Sequence, residues 1–252
     1  MNEQILSLLQ TIEHSHNVTI LYACEAGSRA WNLHHEKSDY DVRFIFIHPI
    51  NQYLSINEPK QVIEGKSSDH IEYSGWDLKK SLQLLKKQNP SILEWLHSSI
   101  HYLNQNDVKE QLLSLHQRYF QEKPLLHHYF NMAKTNIKLL DKKPSTKLLL
   151  NVIRPLLLCE WIMTYKEFPP VHIERVLSII ESKEVKGSIQ DIIARKRNAV
   201  CELSEVVHTL KKWIDETLDN TKLYIDQLNN HIATTQNDEL NAFFRKMAKQ
   251  EF

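Results

Sequence analysis

Residues 24–48, CEAGSRAWNLHHEKSDYDVRFIFIH, constrain the fold of this chain more than any other segment. The apolar run 18–24 just before Gly27 and Ser28 is short and contains Val, Thr, Ile and Tyr. A run of this kind that is stopped by a glycine is typical of a β-strand. The residues after Gly27 open like a helix, and a strand that turns at a glycine into a helix start presents backbone N–H groups. This turn is therefore predicted to suit a phosphate.

Ten residues separate Ser28 from Asp39, where a second predicted strand begins as Asp39-Tyr40-Asp41-Val42. Because side chains alternate across a strand, Asp39 and Asp41 are expected on one face of this strand. The other face is expected to carry Tyr40, Val42, Phe44 and Phe46. Two steps of strand rise place the carboxylates about 7 Å apart, which lets them hold hard divalent cations. A lone Asp-x-Asp usually lies in a solvated turn, but the residues that follow this pair are nearly all apolar. The pattern predicts an Mg²⁺ or Mn²⁺ site beside a nucleotide phosphate site.

A third carboxylate is predicted on a neighbouring strand. Residues 61–64 and 70–73 are strand candidates, separated by a Gly-Lys-Ser-Ser-Asp turn at 65–69. Glu72 lies between apolar neighbours in the second of them, which is a natural position for a third metal ligand. The alternative is an ordinary exposed strand position, and Glu64 takes the role if Glu72 faces water.

Several longer motifs resemble a known family. They are GSRAW, SDYDVRFIFI, SGWDLKKSLQLLKKQNPSILEWL, YFNMAKTN and NVIRPLLLCEWI followed by FPP, in that order. Together they are similar to the YcgL-like predicted nucleotidyltransferases, a branch of the polymerase-beta superfamily associated with RNA repair, over roughly residues 18–210. The resemblance implies an α+β fold, with a small mixed sheet and helices followed by an all-α part. With the composition change near residues 103–107, it predicts a catalytic domain over 1–105 and a helical substrate or partner domain over 106–252.

The resemblance also implies roles for particular residues. Gly27 and Ser28 match the family's phosphate-binding turn, and Asp39 and Asp41 match its metal-binding pair. Glu72 lies where the third carboxylate is expected, although the family usually has an aspartate there. Compared with an aspartate, a glutamate keeps the negative charge and has a longer side chain. Asn32 replaces a glycine of the family pattern, and Asn tolerates a left-handed backbone better than most residues.

The reaction expected from this set is transfer of an NMP from an NTP to an acceptor hydroxyl on an RNA end, a protein or a small molecule. Asp39, Asp41 and Glu72 are expected to hold two Mg²⁺ or Mn²⁺ ions, and Glu72 is a candidate to take the proton. Arg29 and Arg43 are placed to neutralise developing charge, or alternatively to anchor the loop by salt bridges. The sequence leaves open which NTP and acceptor are used and whether the chain self-associates.

Arg154 is a further candidate for nucleotide binding. It lies in the apolar run 152–157, where a buried guanidinium needs an anionic partner. That partner is either a phosphate of the substrate or a structural acid such as Glu160. The next residue, Pro155, lies inside a helical pattern and is predicted to kink it.

The second half of the chain is predicted to be helical throughout. The helix candidates cover 107–121, 124–140, 145–166, 170–182, 188–219 and a C-terminal segment ending near Lys249. Lysine pairs at 79–80, 86–87 and 142–143 and an Arg-Lys-Arg triplet at 195–197 could rim a cleft for RNA, although such clusters are more often solvated helix faces. Acidic and basic residues balance at 31 each, so net charge gives no overall attraction to nucleic acid.

Composition and the N-terminus favour a soluble cytoplasmic protein without a membrane partner. The N-terminus lacks the basic start and apolar run of a signal peptide, and no apolar stretch is expected to approach a membrane span. The three cysteines are far apart and lack metal-ligand spacing, so free thiols in a reducing compartment are predicted. Two other functions remain open: a nucleotide-binding module without turnover, and an antitoxin-like nucleotidyltransferase that modifies or masks a partner protein.

Overall fold

The computed structural model describes residues 1–67, 70–201, 207–229 and 236–249. Its sheet has five strands: β1 Thr19–Glu25, β2 Tyr40–Ile47, β3 Val62–Lys66, β4 Ile71–Asp77 and β5 His101–Asn104. They lie in the order β3-β4-β2-β1-β5. The β2–β4 pair is parallel and the other three pairs are antiparallel, so the sheet is mixed, as predicted.

The helices divide between the sheet and the second half of the chain. They are α1 Asn2–His16, α2 Gly27–Ala30, α3 Ile50–Tyr53, α4 Leu78–Lys86, α5 Pro90–Leu96, α6 Val108–Arg118, α7 Glu122–Lys142, α8 Thr146–Tyr165, α9 Ile173–Val176, α10 Lys183–Arg197, α11 Val207–Gln227 and α12 Gln236–Ala248. This arrangement of a mixed sheet with helices and a helical part confirms the predicted fold class.

The chain forms two compact units. The first contains the whole sheet and comprises Met1–Ala30, Asp39–Phe120 and Ile232–Phe252. The second is helical and comprises Trp31–Ser38 and Gln121–His231. Helix α6 therefore packs with the sheet, and the short segment 31–38 packs with the helices. The functional division into 1–105 and 106–252 stays a prediction, since packing units and functional domains need not share boundaries.

Helix α1 covers one face of the sheet. Its residues Ile5, Leu9 and Ile12 are buried in one apolar cluster with Phe44 and Phe46 of β2. Burying each of these large side chains contributes about 1.5–3 kcal/mol. Since side chains alternate along β2, this packing leaves Asp41 and Arg43 on the opposite face.

Polar side chains fix where several helices begin. Asp77 accepts a hydrogen bond from the backbone N of Lys79 at 2.8 Å, and Asn89 accepts one from Ser91 at 2.9 Å. Ser145, which directly precedes α8, accepts one from Leu148 at 3.3 Å. Each bond satisfies an N–H group that has no partner within its own helix. Helix α8 continues through Pro155.

Two helix predictions are wrong. The segment 170–182 contains only the four-residue α9 and a 3₁₀ turn at Leu177–Ile179. It carries several β-branched residues, whose restricted side-chain rotamers lower helix propensity. The predicted helix 188–219 is interrupted: α10 begins earlier, with Ser182 as its cap, and ends at Arg197. Ala199 then adopts a left-handed backbone with φ 56°. Residues 202–206 of that prediction, and residues 68–69 of the predicted turn, lie outside the described residues.

Helix α8 corrects the expectation that no apolar stretch approaches a membrane span. It has 20 residues and is long and apolar enough to cross a membrane by length and composition. Within the described structure, 61% of its most apolar window is buried. Core helices of soluble proteins pass the same test, so length and composition alone are weak evidence for a membrane.

Candidate active site

The Gly27–Ser28 turn lies directly against Asp41. Gly27 ends the connection from β1 with φ +58°, a left-handed conformation that favours glycine. A Cβ atom at this position would lie 2.0 Å from Oδ2 of Asp41, so the carboxylate occupies the space that only a glycine leaves. The backbone N of Ala26 also donates to the carbonyl of Asp41 at 2.9 Å. The predicted phosphate turn and one of the predicted metal ligands therefore meet.

Glu72 lies beside Asp41 on the neighbouring strand. In the parallel β2–β4 pair, Asp41 is the register partner of Glu72, and Arg43 is the partner of Ser74. Register partners in a sheet project to the same side. Glu64 lies one strand further from Asp41, on β3, as the partner of Ser74. Glu72 is thus closer to Asp41 than Glu64 is, and its role as the third carboxylate stays a prediction.

Arg43 braces the two strands at this point. One of its terminal nitrogens donates to Oδ1 of Asp41 at 3.0 Å. The other donates to the carbonyl of Val42 at 3.1 Å and to that of Glu72 at 3.4 Å. Arg43 therefore has the anchoring geometry that the sequence left as one of two alternatives, and its guanidinium lies next to the carboxylates.

All three predicted ligands have cationic or basic neighbours. Asp41 pairs with Arg43, Lys66 approaches Glu72 at 3.6 Å, and the ring of His70 lies 3.7 Å from Asp39. Across the described ranges, no three His, Cys, Asp or Glu side chains converge as a ready-made metal site. The donor set fits hard divalent cations in its chemistry, since it consists of carboxylate oxygens beside a glycine that leaves room. A cation would have to displace these contacts to bring the three carboxylates together.

The carboxylates influence one another electrostatically. Burial raises the pKa of the Asp41 carboxyl, the Arg43 guanidinium opposes that rise, and the charges of Glu72 and Asp39 add to it. A cation bound beside Asp41 would offset the effect of these like charges. The charge on Asp41 therefore depends on Arg43, Glu72 and Asp39 together.

Glu25, which was not among the predicted site residues, holds the backbone of Asp41 in place. Its side chain is fully buried at the end of β1. One carboxylate oxygen accepts the backbone N–H of Asp41 at 2.9 Å, and the other accepts the hydroxyl of Tyr102 at 2.5 Å. Burial raises the pKa of Glu25, and these two hydrogen bonds oppose the rise. The sequence feature that could have identified Glu25 is its position, because it is a charged residue at the end of an apolar strand, just before the Gly-Ser pair.

Glu25→Ala is expected to destabilise the protein by about 2–3 kcal/mol, because it leaves the buried Asp41 N–H and Tyr102 hydroxyl without their acceptors. Glu25→Gln keeps an acceptor oxygen and is expected to recover most of that loss. Urea unfolding of both variants measures the difference. Equal stability of Glu25→Ala and the natural chain would show that these bonds do not hold β2 in place.

Two neighbouring residues hold the side chain of Arg29 in place. Its guanidinium lies 3.7 Å above the ring of Tyr40, and its Nε donates to the carbonyl of Asp39 at 3.3 Å. Cation–π contacts of this kind hold a side chain in place. Arg29 therefore joins the end of the Gly-Ser turn to the start of β2. Its role in binding phosphate stays a prediction.

Arg154 lies in the second compact unit. It is buried in α8, and its guanidinium lies 4.0 Å from the centre of the Trp31 ring. Glu160, the structural partner considered for it, instead accepts hydrogen bonds from Trp213 and Thr217. In the same unit Asn32 adopts φ 60°, the left-handed backbone expected of an asparagine that replaces a glycine. The prediction that Arg154 binds nucleotide stays a prediction.

Comparisons with known proteins extend over both units. The sequence model of a family described as "RNA repair pathway DNA polymerase beta family" matches residues 1–246. A protein of Bacillus subtilis (strain 168), described as "Uncharacterized protein YcgL", is 38% identical over 223 residues, which cover 87% of this chain and 86% of that protein. The family match extends beyond the range 18–210 estimated from motifs and includes residues 236–246 of helix α12.

Proposed function

The chain belongs to the RNA repair pathway DNA polymerase beta family, and on this premise we propose that it is a metal-dependent nucleotidyltransferase that transfers an NMP from an NTP to an acceptor hydroxyl. Family membership indicates nucleotidyltransferase-like chemistry, and the metal, nucleotide and acceptor are parts of the proposal. The observation that carries it is the position of Asp41, which lies against the Gly27 turn and beside Glu72.

Asp39, Asp41 and Glu72 would hold the two Mg²⁺ or Mn²⁺ ions. Bound there, the ions would neutralise triphosphate charge and lower the pKa of the acceptor hydroxyl. The backbone of Gly27 and the hydroxyl of Ser28 would hold the β- and γ-phosphates. Arg43, which pairs with Asp41 at 3.0 Å, would help to neutralise the charge that develops on the α-phosphate.

The chemistry then follows from the positions of these groups. The acceptor oxygen forms a bond to the α-phosphorus, and the bond from that phosphorus to the bridging oxygen breaks. Pyrophosphate leaves with the electron pair. Glu72 would take the hydroxyl proton, since a carboxylate at the edge of the site is an effective base when it is close to that hydroxyl.

Incubation with NTPs labelled at the α-phosphate is expected to transfer label to an acceptor only when Mg²⁺ or Mn²⁺ is present. NTPs labelled at the γ-phosphate should release the label as pyrophosphate, which distinguishes this reaction from a kinase reaction. RNA ends, proteins and small molecules with hydroxyl groups are tested separately as acceptors. Transfer in the presence of a chelator would contradict the metal assignment.

Binding is measured separately by thermal shift with each NTP. A ligand at 100 times its Kd stabilises the folded state by about 2.7 kcal/mol. Metal-dependent stabilisation without transfer to any acceptor would favour a binding module without turnover. A stable complex that co-purifies with an unmodified partner protein would favour the antitoxin-like alternative.

A further inference from the structure

Residues 31–38 connect the Gly27 turn to β2, and they pack with the helical unit. We call them the connecting segment. Trp31 directly follows Ala30, the last residue of α2, so the segment begins where the turn ends. At its other end it leads directly into Asp39, the first of the predicted metal ligands. Because a peptide bond is planar and stiff, a constraint on the beginning of this segment acts on the Gly27 turn as well.

Two contacts within the helical unit hold Trp31. Its carbonyl accepts the backbone N–H of Ile173 at 3.2 Å. Its ring lies against the guanidinium of Arg154, which is buried in α8 and 4.0 Å from the ring centre. A cation–π contact of a buried guanidinium is stronger than one that is exposed to water. Leu33, two residues later, is also buried. The connecting segment is therefore fixed where it begins.

Arg197, the last residue of α10, fixes Asn32. Its Nε and one of its terminal nitrogens both donate to the Asn32 carbonyl, at 2.9 Å and 2.5 Å. The same terminal nitrogen donates to the carboxylate of Glu174 in α9. Glu174 also accepts a hydrogen bond from the side-chain amide of Asn32 at 2.9 Å. These three residues form a closed ring of hydrogen bonds, which we call the Asn32 clamp.

The bonds to the backbone carbonyl are the most important part of the Asn32 clamp. The side chains of Arg197 and Glu174 are 36% and 42% exposed, and an ion pair exposed to this degree contributes little by itself. Two charge-assisted bonds to one carbonyl instead fix the position of the backbone. Asn32 has φ 60°, a left-handed conformation that persists where the surrounding structure holds it. Arg197 supplies that support.

We propose that Arg197 is a positioning residue for the Gly27 turn. By holding the Asn32 carbonyl, it keeps the chain after α2 in the conformation that places this turn against Asp41. This inference rests on the proposed function, which assigns phosphate binding to the turn. Arg197 acts through the backbone and not by contact with the nucleotide. A misplacement of about 1 Å can lower a rate on the order of 10²-fold, so a contact far from the chemistry can control it.

Hydrogen exchange of the full chain, measured residue by residue, tests the clamp without turnover. Two backbone N–H groups report on it. That of Ile173 donates to the Trp31 carbonyl, and that of Ala30 donates to the Ala26 carbonyl at the start of the turn, at 3.4 Å. Arg197→Ala is expected to speed exchange at both groups on the order of tenfold, because local opening no longer breaks the clamp. Unchanged exchange at Ala30 overturns the proposal, whatever the rate at Ile173.

Arg195→Ala is the matched control, because it removes the same charge from the same end of α10. Arg195 is 32% exposed and pairs with Asp191 of its own helix at 2.7 Å. Only Arg197→Ala is expected to speed exchange, and equal effects of the two variants would overturn the proposal. Arg197→Lys keeps a cation that can donate to the Asn32 carbonyl and should have an intermediate effect. The N–H of buried Ile20 should keep its rate in all variants, which excludes general unfolding as the cause.

The label-transfer assay separates this proposal from the proposed function. Arg197→Ala should raise the KM for NTP on the order of tenfold with a smaller change in kcat, because the displaced turn binds the β- and γ-phosphates less tightly. Arg195→Ala should keep both constants. A natural chain that transfers NMP to no acceptor would contradict the proposed function, and the exchange rates would still decide whether Arg197 positions the turn.

Discussion

Asp41→Asn is expected to lower nucleotidyl transfer on the order of 10³-fold while the chain stays folded. Asp41 is the carboxylate that lies against the Gly27 turn, pairs with Arg43 and neighbours Glu72. An amide keeps the shape of the side chain and loses the charge that would hold a divalent cation. Transfer of α-phosphate label, measured at saturating NTP and Mg²⁺, gives the activity.

The direction in which Asp41→Asn changes the free energy of unfolding follows from the pKa of Asp41. Burial and the charges of Glu72 and Asp39 raise the pKa of Asp41 in the folded state. A raised carboxyl pKa contributes stability below the pKa of the unfolded chain and loses it as the pH rises through the folded pKa. Asparagine does not titrate. The free energy of unfolding of Asp41→Asn at pH 7 should therefore equal or exceed that of the natural chain.

Asp107→Asn is the matched control for Asp41→Asn. Asp107 is exposed in the same unit and has φ 53°, a backbone conformation that asparagine tolerates. This variant should keep full activity and the Mg²⁺-dependent thermal shift with NTP, whereas Asp41→Asn should lose both. Full transfer by Asp41→Asn with Mg²⁺ and NTP would show that the metal assignment is wrong.

The position of Asp41 at the edge of a buried strand follows from rules that operate locally in the sequence. Alternation along a strand separates Asp41 from Phe44, and the apolar residues after it bury the strand. The direct pairing of Asp41 with Glu72 depends on strand order, because β2 and β4 are parallel neighbours although β3 lies between them in the chain. Residue periodicity does not predict that order.

The support behind the carboxylates depends on contacts that a sequence does not reveal. Glu25 and Tyr102 are 77 positions apart and meet only because β5 pairs with β1. Strand β5 has four residues, His101–Asn104, two of them polar, so it gives no clear alternating pattern. The residues 31–38 present a similar case, because their packing with the helical unit depends on distant partners such as Ile173, whose N–H donates to the Trp31 carbonyl.

Gly27→Ala is expected to destabilise the chain by about 1–3 kcal/mol and to lower transfer on the order of 10²-fold. Two causes act together. The backbone at φ +58° disfavours any residue with a Cβ atom, and that atom would lie 2.0 Å from Oδ2 and 2.9 Å from Cγ of Asp41. The carboxylate must move, which breaks its contact with Arg43 and shifts the charge away from the turn.

Gly187→Ala is the matched control for Gly27→Ala. Gly187 lies in α10, and a Cβ atom there would meet nothing within 4 Å. Because alanine is the better helix former, this variant should gain about 0.5–1 kcal/mol and keep full activity. If Gly27→Ala lowers the free energy of unfolding and Gly187→Ala raises it, the loss at Gly27 comes from its surroundings at Asp41. It is then not a general effect of adding a methyl group.

A double-mutant cycle then separates the two causes at Gly27. Asp41→Ala removes the carboxylate that a methyl group would displace, so adding Gly27→Ala to it should cost only the backbone part, about 1–2 kcal/mol. Gly27→Ala should destabilise the natural chain more than it destabilises Asp41→Ala. The difference between the two changes in unfolding free energy measures the contact between the Gly27 turn and the Asp41 carboxylate. Equal costs in the two backgrounds would mean that the turn does not position Asp41, and the reason for placing a phosphate beside that carboxylate would be lost.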